Sequence, residues 1–167
     1  RRSFVLAVYL AIRKVCGEAF NIGIKLNSAD FQRGGFTEDE SLGVIKALVA
    51  EGTDLVEISG GNYENPAMAK GAEDGEVKAS TLAREAYFLE FAEKVRELTD
   101  VPLMVTGGFR TETGMAQAIA SGATDLVGLA RPLVVEPDLP NRIMAGNQVT
   151  SAVKPIKTGI RLIDDML

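Results

Sequence analysis

The residues best placed to do chemistry are Lys25 in "GIKLN", Glu57 in "LVEIS", the pair Gly107 and Gly108 in "PLMVTGGFRT", and Ala130 with Arg131 in "GLARPLV". Arginine's planar fork donates two hydrogen bonds at once to a phosphate-like anion. Adjacent glycines carry no Cβ, so backbone N–H groups approach such an anion closely. A lone Gly-Gly is an ordinary turn signal, but two neighbouring segments ending in "TGGFRT" and "GLARPLV" point together to an anion, with the helix that opens near Thr111 offering its positive dipole end. A lysine within a strand is costly unless paired, and Glu57 is the obvious partner. The pair reads either as an internal ion pair or as an ammonium turned toward an electron-rich ligand atom, and the two readings are compatible.

These residues need a scaffold that gathers strand ends. Phe4, Val8, Ala11, Ile12 and Val15 recur at helical spacing and stop at Gly17. "FNIGIKLN" follows as a short strand, and "TEDE" at Thr37–Glu40 is a capping-box signature opening a second helix that runs to Gly52. "DLVEIS" is the next strand. A polar loop carrying Gly and Pro spans Gly60 to about Lys78, with Tyr63 and Asn65 in it, and residues 82–98 read as a helix with Phe88, Phe91, Ala92 and Val95 inward. "VPLMVTGG" is a third strand, Thr111 and Glu112 suit a helix start, and "DLVGLA" is a fourth strand. A short helix over 141–146 leads into a tail.

Alternating helices and strands imply right-handed crossovers and a parallel sheet. "EGTDLVEIS" and "SGATDLVGLA" echo one another with a glycine helix stop, an acidic turn and an entering strand, as repeated βα units do. Within the strands, alternation puts Ile22, Ile24 and Leu26 on one side and Gly23, Lys25 and Asn27 on the other. Val56 and Ile58 likewise lie opposite Leu55, Glu57 and Ser59. The apolar sets face the helices, leaving Lys25, Asn27, Glu57 and Ser59 on the concave side. Four βα units suit an open doubly wound sheet or half of a (βα)8 barrel, since a whole barrel takes about 250 residues. The expected division is a half-barrel over 1–146 and a tail over 147–167.

Composition narrows the chemistry. The chain has 167 residues, an ordinary globular mixture and a formal net charge of −5, which argues against a general nucleic-acid binder. There is no histidine and one cysteine, Cys16, so metal chemistry is not expected and none of these residues is assigned to a metal. Cys16 is expected half-buried near a helix end. No apolar run approaches the roughly 20 residues that cross a bilayer, and Arg1-Arg2-Ser3-Phe4 lacks a cleavable signal pattern, so the expected setting is cytoplasmic, away from membranes.

The segments "GIKLNSADFQRGGFT", "LVEISGGNYENP", "REAYFLEFAEKVR", "PLMVTGGFRT" and "DLVGLARPLVVEPDLP" resemble the C-terminal half of the Old Yellow Enzyme family of NADH:flavin oxidoreductases, which are FMN-dependent (βα)8 barrels. The resemblance implies that the strands correspond to strands five to eight of that barrel. It implies that Lys25 approaches the flavin pyrimidine edge, that Gly107 and Gly108 give backbone donors to the FMN phosphate, and that Ala130 and Arg131 stand where the family usually has Gly-Arg. NADH or NADPH is the implied reductant, and a small-molecule electron acceptor such as an activated alkene the implied substrate. The family's His/His or His/Asn pair for the substrate carbonyl belongs to the first half of the barrel, so no catalytic residue is assigned here. Two other readings remain at this point: a phosphate-binding barrel such as an isomerase or aldolase with Lys25 as its acid/base or Schiff-base residue, and a non-catalytic half-barrel that dimerises over its open edges. A homo-oligomer or a complementing half-barrel is the expected macromolecular partner.

Overall fold

Each strand among the described residues is followed by a helix that returns it to the same end of one sheet, as the alternating pattern requires. The computed structural model describes residues 2–30, 33–59, 88–147 and 149–151. In order these form α1 (Arg2–Cys16), β1 (Gly23–Asn27), α2 (Glu38–Ala50), β2 (Leu55–Ser59), α3 (described over 88–96), β3 (Leu103–Thr106), α4 (Glu112–Ala120), β4 (Leu126–Gly128), α5 (Arg131–Val135) and α6 (Leu139–Met144). The four strands are parallel and lie in sequence order, β1-β2-β3-β4. This is the parallel α/β arrangement of a partial barrel.

The helix starts were written in the sequence. Thr37 caps α2 with a complete capping box, its hydroxyl accepting from the Glu40 N–H while the Glu40 carboxylate accepts from the Thr37 N–H. Thr111 caps α4 by accepting from the Gly114 N–H at 3.1 Å.

The core forms on the helix side of the sheet. Val56, Ile58, Leu103 and Val105 are fully buried against Phe88, Phe91, Ala92 and Val95 of α3 and against Met115 and Ala118 of α4. Removing a side chain of this size from water stabilises the fold by about 1.5–3 kcal/mol. A second cluster joins Tyr9 of α1 to Ile22, Val44 and Leu48, with Val5 and Leu6 packed at its margin.

Several expectations change. The stripe that marks α1 is not the one it buries: Phe4 and Val15 are 79% and 84% exposed, Val8 and Ile12 are partly exposed, and Tyr9 is the helix's buried residue. Val5, Leu6 and Tyr9 turn toward α2 because that is where the apolar surface of Val44 and Leu48 lies. Cys16, at the outward end of α1, is exposed rather than half-buried. The last short helix begins at Leu139, two residues before the expected start, because Pro140 falls in its first turn, where a missing N–H breaks no helical bond. "DLVGLA" yields a strand of only three residues, and α5 follows at once with Pro132 in its first turn. The loop with Tyr63 and Asn65 and the first part of the helix expected over 82–98 lie outside the described residues, as does most of the 147–167 tail.

Candidate functional site

The register places Lys25 opposite Glu57, Glu57 opposite Met104, and Met104 opposite Leu126. These four side chains therefore form one row on the face turned away from the core, with Lys25 and Glu57 as its charged end. Lys25 Nζ lies 2.8 Å from Glu57 Oε1, and the carboxylate is the deeper partner, 19% exposed against 57% for the lysine.

One step toward the carboxyl ends, the face becomes polar. Asn27 pairs with Ser59 in register, and the Ser59 hydroxyl donates to Asn27 Oδ1 at 3.1 Å. The Asn27 amide donates to Asp30, whose other oxygen accepts from the Phe36 N–H at 2.9 Å and so ties the β1–α2 connection to the strand end. Thr106 of β3 is opposite Gly128 of β4. Its hydroxyl is buried and has no hydrogen-bond partner, which is costly for a polar group. A Cβ at residue 128 would overlap that hydroxyl and come within 2.8 Å of the Thr106 Cβ, so this close approach of strands depends on glycine.

β3 is followed directly by Gly107 and Gly108, with φ of 116° and 84°. Side chains rarely adopt these conformations, so the turn bares the backbone at the strand end where the sequence anticipated it. The fully buried Phe109 anchors the turn from beneath. Ala130, the N-cap of α5, and the exposed Arg131 follow the end of β4, the neighbouring strand. Lys25, Gly107, Gly108, Ala130 and Arg131 thus sit on or beyond one face of a single sheet, four of them at its carboxyl end.

The α4 terminus, expected to offer its positive dipole end, also has its first N–H groups engaged. The Glu112 N–H donates to the Val149 carbonyl at 3.0 Å, the Gly114 N–H is taken by Thr111, and Ser151 donates to the Arg110 carbonyl at 2.7 Å. Thr111 and Thr150 form an antiparallel bridge. The start of the tail therefore straps the helix opening and occupies donors that an anion would otherwise use. The dipole remains, but direct hydrogen bonds from these two groups do not. Sequence reasoning missed this strap, since nothing local in "VTS" announces it.

The amino ends of the strands are built differently. Thr53 Oγ1 donates to the Ile22 carbonyl at 3.0 Å while Asp54 accepts the Ile22 N–H at 2.7 Å. Thr124 Oγ1 donates to the Leu103 carbonyl at 2.9 Å while Asp125 accepts the Leu103 N–H at 2.8 Å. Arg13 is paired with Asp54 and Arg96 with Asp125. The Ile22 N–H, and then Arg13, hold the Asp54 carboxyl below its ordinary value; the Leu103 N–H does the same for Asp125, with Arg96 contributing after the opposing effect of desolvation. A depression lined by Asn21, Gly23, Thr53, Asp54, Leu55 and Pro102 lies at this end. Its carboxylate is committed to Arg13 and Ile22, so it offers little chemistry. Among the described residues no cluster of His, Cys, Asp and Glu suits a metal ion.

The carboxyl end fits a cofactor with a phosphate and an electron-accepting ring. Backbone N–H groups at a positive-φ glycine turn and a neighbouring guanidinium suit the phosphate, the unpartnered Thr106 hydroxyl marks a polar group awaiting a partner, and the ammonium on the open face suits developing negative charge.

Comparison with known proteins gives the same direction. Residues 1–149 match the sequence profile of the NADH:flavin oxidoreductase / NADH oxidase family. The chain is 40% identical over 163 residues to the NADH-dependent flavin oxidoreductase iliE of Neonectria sp. (strain DH2), covering 95% of this chain and 21% of that protein. It is 35% identical over 150 residues to the protein of the same name from Hypocrea jecorina (strain QM6a), covering 89% of this chain and 37% of that one. The chain thus spans between about a fifth and somewhat over a third of the length of these relatives. In fold it resembles 2-naphthoyl-CoA reductase solved with 2-naphthoyl-CoA, with a TM-score of 0.74 and 24% identity over 90% of this chain and 22% of that one.

Proposed function

Because the chain belongs to the NADH:flavin oxidoreductase / NADH oxidase family, we propose that it supplies the FMN-holding C-terminal part of an NADH-dependent flavin oxidoreductase. FMN and NADH are the cofactors of this family; bound FMN supplies hydride transfer between the nicotinamide and an electron-poor small molecule such as an activated alkene. On this reading the chain's own residues bind and polarise. The N–H groups at Gly107, Gly108 and Ala130, with the Arg131 guanidinium, hold the phosphate, and Lys25 stabilises negative charge at the pyrimidine edge. The methyl of Ala130 narrows the approach relative to a glycine but leaves its N–H.

The observation that carries the reading is the placement of Lys25 and both phosphate motifs on one sheet, its strands parallel, with the glycine turn in a positive-φ conformation. Family membership weighs against the isomerase or aldolase alternative. The remaining strands of the barrel, and the residues that grip the acceptor, come from a longer polypeptide, a complementing chain or a second copy. The edges of β1 and β4 are suited to such pairing. No helix among the described residues is long and apolar enough to cross a membrane, and a cytoplasmic setting with neither nucleic-acid nor membrane partners is part of this proposal.

The test is a titration with FMN followed by absorbance and flavin fluorescence, with Arg131→Ala and Lys25→Ala in parallel. Saturable binding is expected, weakened about tenfold or more in Arg131→Ala, the scale of a lost charge-assisted hydrogen bond. Equal affinities for all three proteins would overturn the assignment of these residues.

A further inference from the structure

Resting on the reading of Lys25 as the charge at the flavin edge, we infer that Glu57 is a positioning residue that holds the Lys25 ammonium and, by offsetting its charge, sets the reduction potential of the bound flavin. The pair joins adjacent strands in register at 2.8 Å. Its burial is unequal: the carboxylate is mostly covered while more than half of the lysine side chain remains exposed. In the same row the next residues are Met104 and Leu126, both apolar, so within that row Lys25 is the cationic neighbour of Glu57.

Stability does not explain this placement. An internal ion pair is weak support for a fold, because burying a carboxylate costs more than burying a hydrocarbon of similar volume even when the charge is paired. A pair of apolar residues would extend the Met104 and Leu126 row at no such cost. What the carboxylate does is electrostatic. Bound FMN would take a hydride from NADH, two electrons and one proton, with NAD+ as the product, and the Lys25 ammonium would face the unit of negative charge that this adds. A free ammonium stabilises that charge strongly; one clasped by Glu57 does so as a dipole, whose field is weaker and falls faster with distance. Glu57 thereby keeps the flavin a better reductant than Lys25 alone would make it.

The experiment is a spectroelectrochemical titration of the FMN-loaded protein, comparing the parent with Lys25→Met, Glu57→Gln and Glu57→Asp. Glutamine keeps an oxygen that accepts from Lys25 but removes the charge. Glu57→Gln is expected to raise the ratio of reduced to oxidised flavin at a fixed potential about tenfold, a shift of roughly 30 mV for two electrons, and Lys25→Met to lower it. Glu57→Asp, which withdraws the charge by one methylene, shifts in the same direction as Glu57→Gln by less and decides the matter if the glutamine variant does not load flavin. An unchanged or lowered potential on altering Glu57, with Lys25→Met still shifting it downward, overturns this inference and leaves the role of Lys25 intact. A potential insensitive to Lys25→Met overturns both. A purely structural ion pair would alter melting and leave the potential where it was.

Discussion

β2 and β4 begin in nearly the same way, yet the helices fastened to them are held by different physics. Both strands are preceded by Thr-Asp, both use the hydroxyl and the carboxylate to clasp the backbone where the neighbouring strand begins, and both draw in an arginine from the helix before that neighbour. Around that shared clasp the supports diverge. Arg13 donates to the carbonyls of Gly17, Glu18, Phe20 and Gly52 and to the Tyr9 hydroxyl as well as to Asp54. Arg96 reaches the Val101 carbonyl and Asp125, and its Nε is buried without a partner. The explanation lies in burial. α3 inserts Phe88, Phe91, Ala92 and Val95 into the main core, whereas α1 buries Tyr9 alone. A helix with little apolar attachment is anchored by a polar hub; one with a deep apolar face needs only a light clasp.

This contrast is breakable. The largest effect is expected from Phe91→Ala, which empties a fully buried aromatic site and should cost about 3–5 kcal/mol in urea unfolding. A loss under about 1 kcal/mol would mean that α3 is not held by its apolar face. Next come the two arginines exchanged for methionine. Arg13→Met should sharply increase amide exchange throughout α1 and the turn after it, while Arg96→Met leaves α3 protected. Equal responses of the two helices would erase the distinction drawn between them.

The smallest effect is shared by both clasps and appears in acid. The folded Asp54 and Asp125 carboxyls both lie below their ordinary value of 3.8. Each therefore contributes stability that is fully present above that value and is lost as the pH falls through its folded value. Urea midpoints measured downward from pH 5 should fall less steeply in Asp54→Asn and Asp125→Asn than in the parent. Because the backbone N–H is the first cause in both cases, Arg96→Met should keep most of the acid sensitivity at Asp125; losing it entirely would assign the effect to the ion pair instead.

Much of this molecule was legible in its residues. The parallel order, the Thr37 and Thr111 caps, the inward set on α3 and the Lys25–Glu57 pair all follow from local chemistry and from side-chain period, which neighbouring residues determine. The "TD" echo was visible too, but only as a turn. Its arginines lie 41 and 29 residues away from the carboxylates they meet, and a pairing over that distance exists only once the strands are stacked. The same limit explains the reversed face of α1, whose apolar residues lie on more than one side, so that only its neighbours decide which side is covered. It also explains the strap from Val149 to Ser151. The roles of Lys25, Gly107, Gly108, Ala130 and Arg131 were suggested by motif and family, and the structure adds where they stand.

The close fit of Gly128 beneath Thr106 has a bearing on how this protein can change over generations. A side chain at 128 is obstructed by the Thr106 hydroxyl and also by the Thr106 Cβ, so alanine at 106 removes only the first obstacle and glycine there removes both. Substitutions at the two positions are therefore ordered: 106 opens the path and 128 follows it. A lineage that acquired bulk at 128 first would pass through a poorly folded intermediate, so these two neighbouring strands admit change in one order and its reversal only in the opposite order.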